Sequence, residues 1–335
     1  MTAAFFVTAF FCVVIPGYCA NSDARAVRAS AAAIQPDVRK LHFPDKSIGS
    51  LMLVNHREDP EHRWMIYSQG KQVGGARGDV SLTVPPGSVL MLDVNRRVFE
   101  NPDLLKEVSP NGIDILRMSF MSMDDSEDHL LENAVPRMAN LKGVKALFFD
   151  RSEVQDAEMS KVKNLPHLCA INFFLSGING ACFKDLAAFP ELYEVDAPFC
   201  HINQRNIAGL AQIAKLRILD LSKTHMTLEG AKSLSKLPGL VYLDLCDNPK
   251  FDDECVKCLK PLSHLKKLDL HGTMVTMEGL KSLRGIKFSS LLLPARLRKN
   301  QKELSAMFPG TGFEFAGDTI RTPNKEDSTV FAPLR

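Results

Sequence analysis

Residues 216–226 read LRILDLSKTHM, residues 240–251 read LVYLDLCDNPKF and residues 265–275 read LKKLDLHGTMV. The three stretches align position by position on the apolar anchors Leu219, Leu243 and Leu268. The same template finds Leu147, Ile171 and Val195 upstream and Leu291 downstream. Successive anchors are 24, 24, 24, 24, 25 and 23 residues apart, which marks an internal repeat and decides the architecture before any single site is considered. Leucine usage follows it: 11 of the first 140 residues are Leu, against 20 of the 84 in residues 210–293.

Other positions keep the same register. Seven residues after the anchor stands an apolar side chain, Val154, Ile178, Ile202, Met226 or Val275, with Phe251 one place later in the longer unit. Five after it stands a small or polar residue, Ser152, Ser176, Cys200, Thr224, Asn248 or Thr273, where a tight turn needs a side chain that bonds backbone. Pairs such as Leu186 and Phe189, Leu210 and Ile213, or Leu234 and Leu237 have helical spacing, while the anchor motif alternates as a strand does. Pro166, Pro190 and Pro238 then stop the helix before the next strand. Each unit reads strand, turn, helix, turn.

LRILDLSKT and LVYLDLCDN resemble the LxxLxLxxN/C motif of the leucine-rich-repeat family. Thr-x-x-Gly at Thr227 to Gly230 and Thr276 to Gly279 is similar to its short bacterial and ribonuclease-inhibitor-like classes. The resemblance covers about residues 110–315 and implies an α/β solenoid with a parallel sheet on the concave face and helices on the convex face. Early units depart from the motif, with Val144, Val195 and Ala197 in Leu positions.

The remainder divides by composition. The chain has 335 residues, 45% hydrophobic and 24% charged, with a formal charge of +2, so no global field advertises a nucleic-acid partner. Residues 1–22 carry no charge, and 3–15 form an apolar run of 13 residues, the length of a signal-peptide core and short of the roughly 20 needed to span a bilayer. A signal peptide over 1–26 is expected, cleaved after Ala26 or after Cys19 or Ala20. An uncut anchor is the alternative, because no Lys or Arg precedes the run. A linker is expected over 27–40, a small β-rich unit or cap over 41–110, the solenoid with seven or eight repeats over 111–315, and a loose tail over 316–335. Strand-like stretches in the β-rich unit are SLMLVN, RWMIYS, GDVSLTV and SVLMLDVN.

Outward positions flank each anchor because strand side chains alternate faces. One after the anchor stand Asn172, Asp196, Asp220, Asp244 and Asp269, an expected acidic stripe. With Glu194, Tyr242 and Lys267 one before, and Phe174 and His271 three after, they make the candidate partner-binding surface. No metal site is expected: Cys246, His271, Asp244 and Asp269 fall on adjacent strands, but regular strands point side chains parallel rather than toward one point. Cys255 and Cys258 begin a helix and are compatible with a local disulfide after export. The basic segment Lys281, Arg284, Lys287, Arg296, Arg298, Lys299 and Lys302 reads as a solvated edge.

No GxSxG, HExxH, GxGxxG or P-loop pattern occurs, so no catalytic residue and no cofactor is expected. The expectation is an exported, extracytoplasmic, non-enzymatic module that binds a protein through its concave sheet, without nucleic acid, and touches membrane only through an uncut N-terminal segment. The alternative is an envelope-associated spacer held by that segment.

Overall fold

Most repeat units give the sheet only three residues of strand, so the fold depends on stacking those strands in register. The computed structural model describes residues 37–55, 64, 70–121 and 129–316. The expected signal segment, most of RWMIYS, the acidic run Asp124 to Asp128 and the tail from 317 lie outside the described residues.

Fourteen strands are described: β1 (Asp37–His42), β2 (Gly49–Asn55), β3 (Lys71–Gly75), β4 (Asp79–Val84), β5 (Ser88–Val94), β6 (Ile115–Arg117), β7 (Ala146–Phe148), β8 (Ala170–Asn172), β9 (Glu194–Asp196), β10 (Ile218–Asp220), β11 (Tyr242–Asp244), β12 (Lys267–Asp269), β13 (Ser290–Pro294) and β14 (Gly312–Ala316). Twelve form one sheet in the order β14 down to β5, then β2 and β3, while β1 and β4 pair separately. From β5 to β14 every neighbouring pair is parallel, and β2 runs antiparallel to both β5 and β3. Leu147, Ile171, Val195, Leu219, Leu243, Leu268 and Leu291 lie opposite one another in consecutive strands, all buried. The fold is a leucine-rich-repeat solenoid whose β-rich N-terminal part continues the same sheet. One correction concerns residues 27–40: β1 begins at Asp37 and pairs with β4, so the expected linker does not extend to residue 40.

Helical segments cover the other face of the sheet. They are shorter than the sequence pattern suggests: α1 (Arg96–Glu100), α2 (His129–Ala134), α3 (Asp156–Met159), α4 (Leu228–Leu234), α5 (Asp253–Lys257), α6 (Met277–Lys281) and α7 (Gln301–Met307), with 3₁₀ segments at Ala181–Ala188 and Asn206–Gln212. The i, i+3 apolar pairs of those units serve a three-residue turn as well as an α-helix. Leu186, Leu210, Leu234, Leu259 and Leu283 join the anchors in one continuous core along the solenoid.

Two devices lock unit to unit. Four residues after the anchor, Arg151, Leu175, Phe199, Lys223 and Asp247 all have positive φ, between 52° and 61°. Each strained residue costs about 1 kcal/mol, but the turn aims its amide at the next unit: Leu175 N to Pro198 O is 2.9 Å and Lys223 N to Cys246 O is 3.0 Å. One place later, fully buried Asn248 donates to Leu221 O and Leu245 O, both at 3.0 Å, and accepts from Thr224 N and Met226 N at 3.2 and 2.8 Å. Cys200 does part of this work in its unit, with Sγ 3.0 Å from Phe173 O.

The joint between the β-rich part and the repeats is electrostatic. Buried Asp114, just before β6, accepts from Leu90 N at 2.9 Å and pairs with Arg39 of β1 and Lys145. Arg117 of β6 bridges Asp93 of β5 and Asp150 beyond β7.

Candidate interaction surface

The aspartates of the open sheet face have a backbone task. In a parallel ladder the amide two residues beyond the anchor donates to the next strand, as Leu221 N does to Asp244 O at 3.0 Å. The amide after it faces the other way, and the carboxylate one residue past the anchor takes it: Asp220 accepts from Ser222 N, Asp244 from Cys246 N and Asp269 from His271 N, at 2.9, 2.9 and 3.0 Å. Asn172 does the same for Phe174 N at 2.7 Å. Asp196 precedes Pro198, which has no amide hydrogen, and its carboxylate accepts from Asn172 Nδ2 at 3.3 Å.

The ten candidate residues therefore separate. Asn172, Asp196, Asp220 and Asp269 are buried, and Glu194 is fully so, which corrects the expectation that all ten stand out into solvent. Phe174, Tyr242, Asp244, Lys267 and His271 are partly exposed. Strands β9 to β12 hold Asp196, Asp220, Asp244 and Asp269 side by side in register, with Tyr242 beside Lys267. Phe174 packs edge-on to Phe199 at 5.2 Å between ring centroids, and Lys223 Nζ lies 4.5 Å over the Phe199 ring.

Sequence reasoning missed what covers the other end of this face. Trp64, from the connection between β2 and β3, donates its backbone amide to Glu194 Oε2 at 2.8 Å and its indole Nε1 to Tyr193 Oη at 2.9 Å. It belongs to a second apolar cluster with Val54, Val89, Met91, Ile115, Ala146, Phe148 and Ala170, on the opposite side of the strands from the main core. The signal was present: Ala146, Phe148 and Ala170 are apolar at positions that elsewhere carry Asp, Tyr or Lys. Apolar residues on a nominally wet face call for a cover.

The donors of Cys246, Asp247 and His271 all lie within 4.8 Å of one another, as do those of Asp244, Cys246 and Asp269. Asp244 and Asp269 belong to β11 and β12, whereas Cys246, Asp247 and His271 stand past the strand ends, where regular alternation no longer sets their direction. There Asp247, at φ 52°, turns the chain out of the strand. His271 Nδ1 lies 2.6 Å from Asp269 Oδ1. Burial opposes protonation of His271, but the Asp269 hydrogen bond and the charges of Asp269, Asp247 and Asp244 outweigh it and hold its pKa above the usual imidazole value. A thiol beside a His–Asp pair has the residue types of a nucleophile and its base. Burial, followed by the charges of Asp244, Asp269, Asp220 and Asp247, instead pushes the Cys246 thiol far up, the reverse of activation.

The remaining candidates have structural surroundings. Cys255 and Cys258 are both free thiols, bonded to Lys250 O and Glu254 O rather than to each other, and burial pushes Cys255 up to about 11. In the basic segment Arg296 donates to Thr273 O and Val275 O, Arg298 to Phe315 O, and Lys281 pairs with Glu278. Among the described residues no helix is long and apolar enough to cross a membrane.

No family model matches the chain, and no curated protein matches it. Among solved structures it is similar to an internalin (InlF) from Listeria monocytogenes, at 16% identity over 66% of this chain and 71% of that one, with a TM-score of 0.41. An internalin C2 from the same organism is 18% identical over 48% of this chain and 82% of its own, with a TM-score of 0.33. The TLR13 chain of a TLR13–ssRNA13 complex is 16% identical over 56% of this chain and 30% of its own, at 0.39. At these identities and scores the fold rests on the strand register and core described above, and the likenesses say nothing of what this chain binds.

Proposed function

We propose that the chain is an exported, non-catalytic binding module whose open sheet face, from β10 to β12, holds a protein partner. The observation that carries this reading is the change in character along that face. One end is covered by Trp64 and its apolar cluster, with Phe174 at its boundary beyond β8, while the other presents Tyr242, Asp244, Lys267 and His271 partly exposed on an in-register platform. Aromatic and charged groups held by the backbone rather than by flexible loops lose little entropy on binding. The partly exposed carboxylate of Asp244, flanked in register by the buried carboxylates of Asp220 and Asp269, disfavours the phosphates of a nucleic acid and suits a segment bearing basic side chains. Export rests on the uncharged apolar run over residues 3–15.

Affinity capture with the wild-type chain against a Tyr242→Arg variant tests the surface, since this side chain is partly exposed, does not carry the backbone task of the aspartates, and as Arg would repel a basic segment. Specific partners retained by wild type are expected to be lost by the variant; an identical set on both contradicts the reading. N-terminal sequencing of the extracytoplasmic protein tests export, with a start between residues 20 and 27 expected and an intact Met1 in the membrane fraction favouring the anchored spacer.

A further inference from the structure

We propose that Cys246, Asp247 and His271 form a binding site for one divalent transition ion of the zinc class, with Asp269 orienting the His271 ring and the fourth position left to water. The donors already lie within 4.8 Å of one another. Around a tetrahedral zinc with bonds of 2.0–2.3 Å, donors stand roughly 3.3–3.8 Å apart, about 1 Å inside the present limit of 4.8 Å. The Asp269 carboxylate on His271 Nδ1, at 2.6 Å, is the arrangement that fixes a ligating imidazole and leaves Nε2 for the metal. Thiolate and imidazole select a borderline-soft ion over calcium or magnesium, which take oxygen donors. Binding breaks the Cys246 S–H bond and forms a metal–sulfur bond, and the proton, with any on His271 Nε2, passes to solvent.

Two further observations set this place apart from the other units. At the positions of Cys246 and His271, three after the anchor, earlier units carry Asp150, Phe174, Pro198 and Ser222; at that of Asp247 they carry Arg151, Leu175, Phe199 and Lys223. Among the described residues, only the units of β11 and β12 bring a thiol, a carboxylate and an imidazole to these positions of adjacent turns. The second observation is Gly272, the one glycine at the positive-φ position that Arg151, Leu175, Phe199, Lys223 and Asp247 occupy in other units. A Cβ at residue 272 would sit 2.1 Å from Asp247 Oδ1. The carboxylate therefore occupies space that a side chain would fill, and the glycine lets Asp247 lie in toward its two neighbours. The site is independent of the protein-binding reading, although both share the same end of the sheet.

The test is titration of the reduced, chelator-treated full chain with Co²⁺, followed by competition with Zn²⁺. The expected result is a thiolate-to-cobalt charge-transfer band that saturates at one equivalent and is bleached by Zn²⁺. Cys246→Ser should abolish the band. His271→Ala and Asp247→Asn should weaken binding at least about 10-fold, and Asp269→Asn about 10- to 100-fold, while Cys258→Ser leaves it unchanged. Absence of a thiolate band, survival of the band in Cys246→Ser, or its loss in Cys258→Ser would overturn the proposal. A measurement that needs no variant is mass mapping of thiol alkylation. Zn²⁺ should protect Cys246 while Cys258 reacts at an unchanged rate, and equal labelling of Cys246 with and without Zn²⁺ contradicts the site.

Discussion

The backbone amide of Trp64 donates to Oε2 of Glu194 at 2.8 Å, so a residue of the β2–β3 connection is fixed to a strand 130 positions further along the chain. The contact closes one end of the open face and leaves the other end, around β10 to β12, as the accessible part. Trp64 is the only tryptophan in the chain and is 5% exposed, so its fluorescence reports this closure alone. Native emission should be blue-shifted and move red on unfolding. Tyr193→Phe, which removes the indole's partner, should lower stability by about 1 kcal/mol, and Trp64→Ala by about 3–5 kcal/mol, read from urea midpoints. A solvent-like emission maximum in the native protein would contradict the closure.

Asn248 carries the joint between the β10 and β11 units. Alanine there strands the Thr224 and Met226 amides and the Leu245 carbonyl in the core, while Leu221 O keeps only the Thr224 hydroxyl. The expected loss is about 2–4 kcal/mol, visible as a lower melting midpoint. Asn248→Cys, which copies the residue that Cys200 supplies in its own unit, should lose less than Asn248→Ala. Equal losses would show that the hydrogen bonds at this slot carry little of the stability.

Asp114 supplies a pH dependence whose sign follows from its surroundings. Burial raises its pKa, but the Leu90 amide, the Arg39 hydrogen bond and the Lys145 and Arg39 charges outweigh that and hold the carboxyl below its usual value. A depressed carboxylate stabilises the fold above its unfolded pKa of about 4, and that stability is lost as pH falls through the lower folded value. Asp114→Asn should therefore be less stable than wild type at pH 7, with the gap narrowing below about pH 4. A gap that stays constant down to pH 2 would remove the carboxylate from the joint. Urea unfolding at stepped pH measures it.

Gly272→Ala puts a side chain at φ 66° and against Asp247 Oδ1. A cost of about 1–3 kcal/mol is expected, read as a lower urea midpoint, together with weaker Co²⁺ binding. The comparison is Leu175→Gly at the equivalent exposed position, which should change stability by less than about 1 kcal/mol and leave Co²⁺ binding alone. Similar effects from the two variants would place no special demand on residue 272.

The solenoid was legible because one periodic pattern carried it: Leu219, Leu243 and Leu268 bury the same way in every unit, and a stacked fold turns sequence register directly into strand register. The site was less so. That Asp220, Asp244 and Asp269 are held by backbone amides depends on where each ladder bond points, which no composition reveals. The convergence of Cys246, Asp247 and His271 arises past the strand ends, where a left-handed residue replaces the alternation that a regular strand would impose. Trp64 lies in no repeat, and its contact with Glu194 spans a separation over which periodicity gives no guidance; the apolar Ala146, Phe148 and Ala170 were its only trace.

The central claim, that the β10–β12 end of the open face holds a protein partner, is tested most directly by site-specific photocrosslinking. A photoreactive residue in place of Tyr242 or Lys267 reports the open face, and one in place of Lys232 or Lys257 reports the helical side. The account predicts one discrete crosslinked protein species from positions 242 and 267 and none from 232 and 257. The same species captured from the helical side, with nothing from the open face, would contradict it.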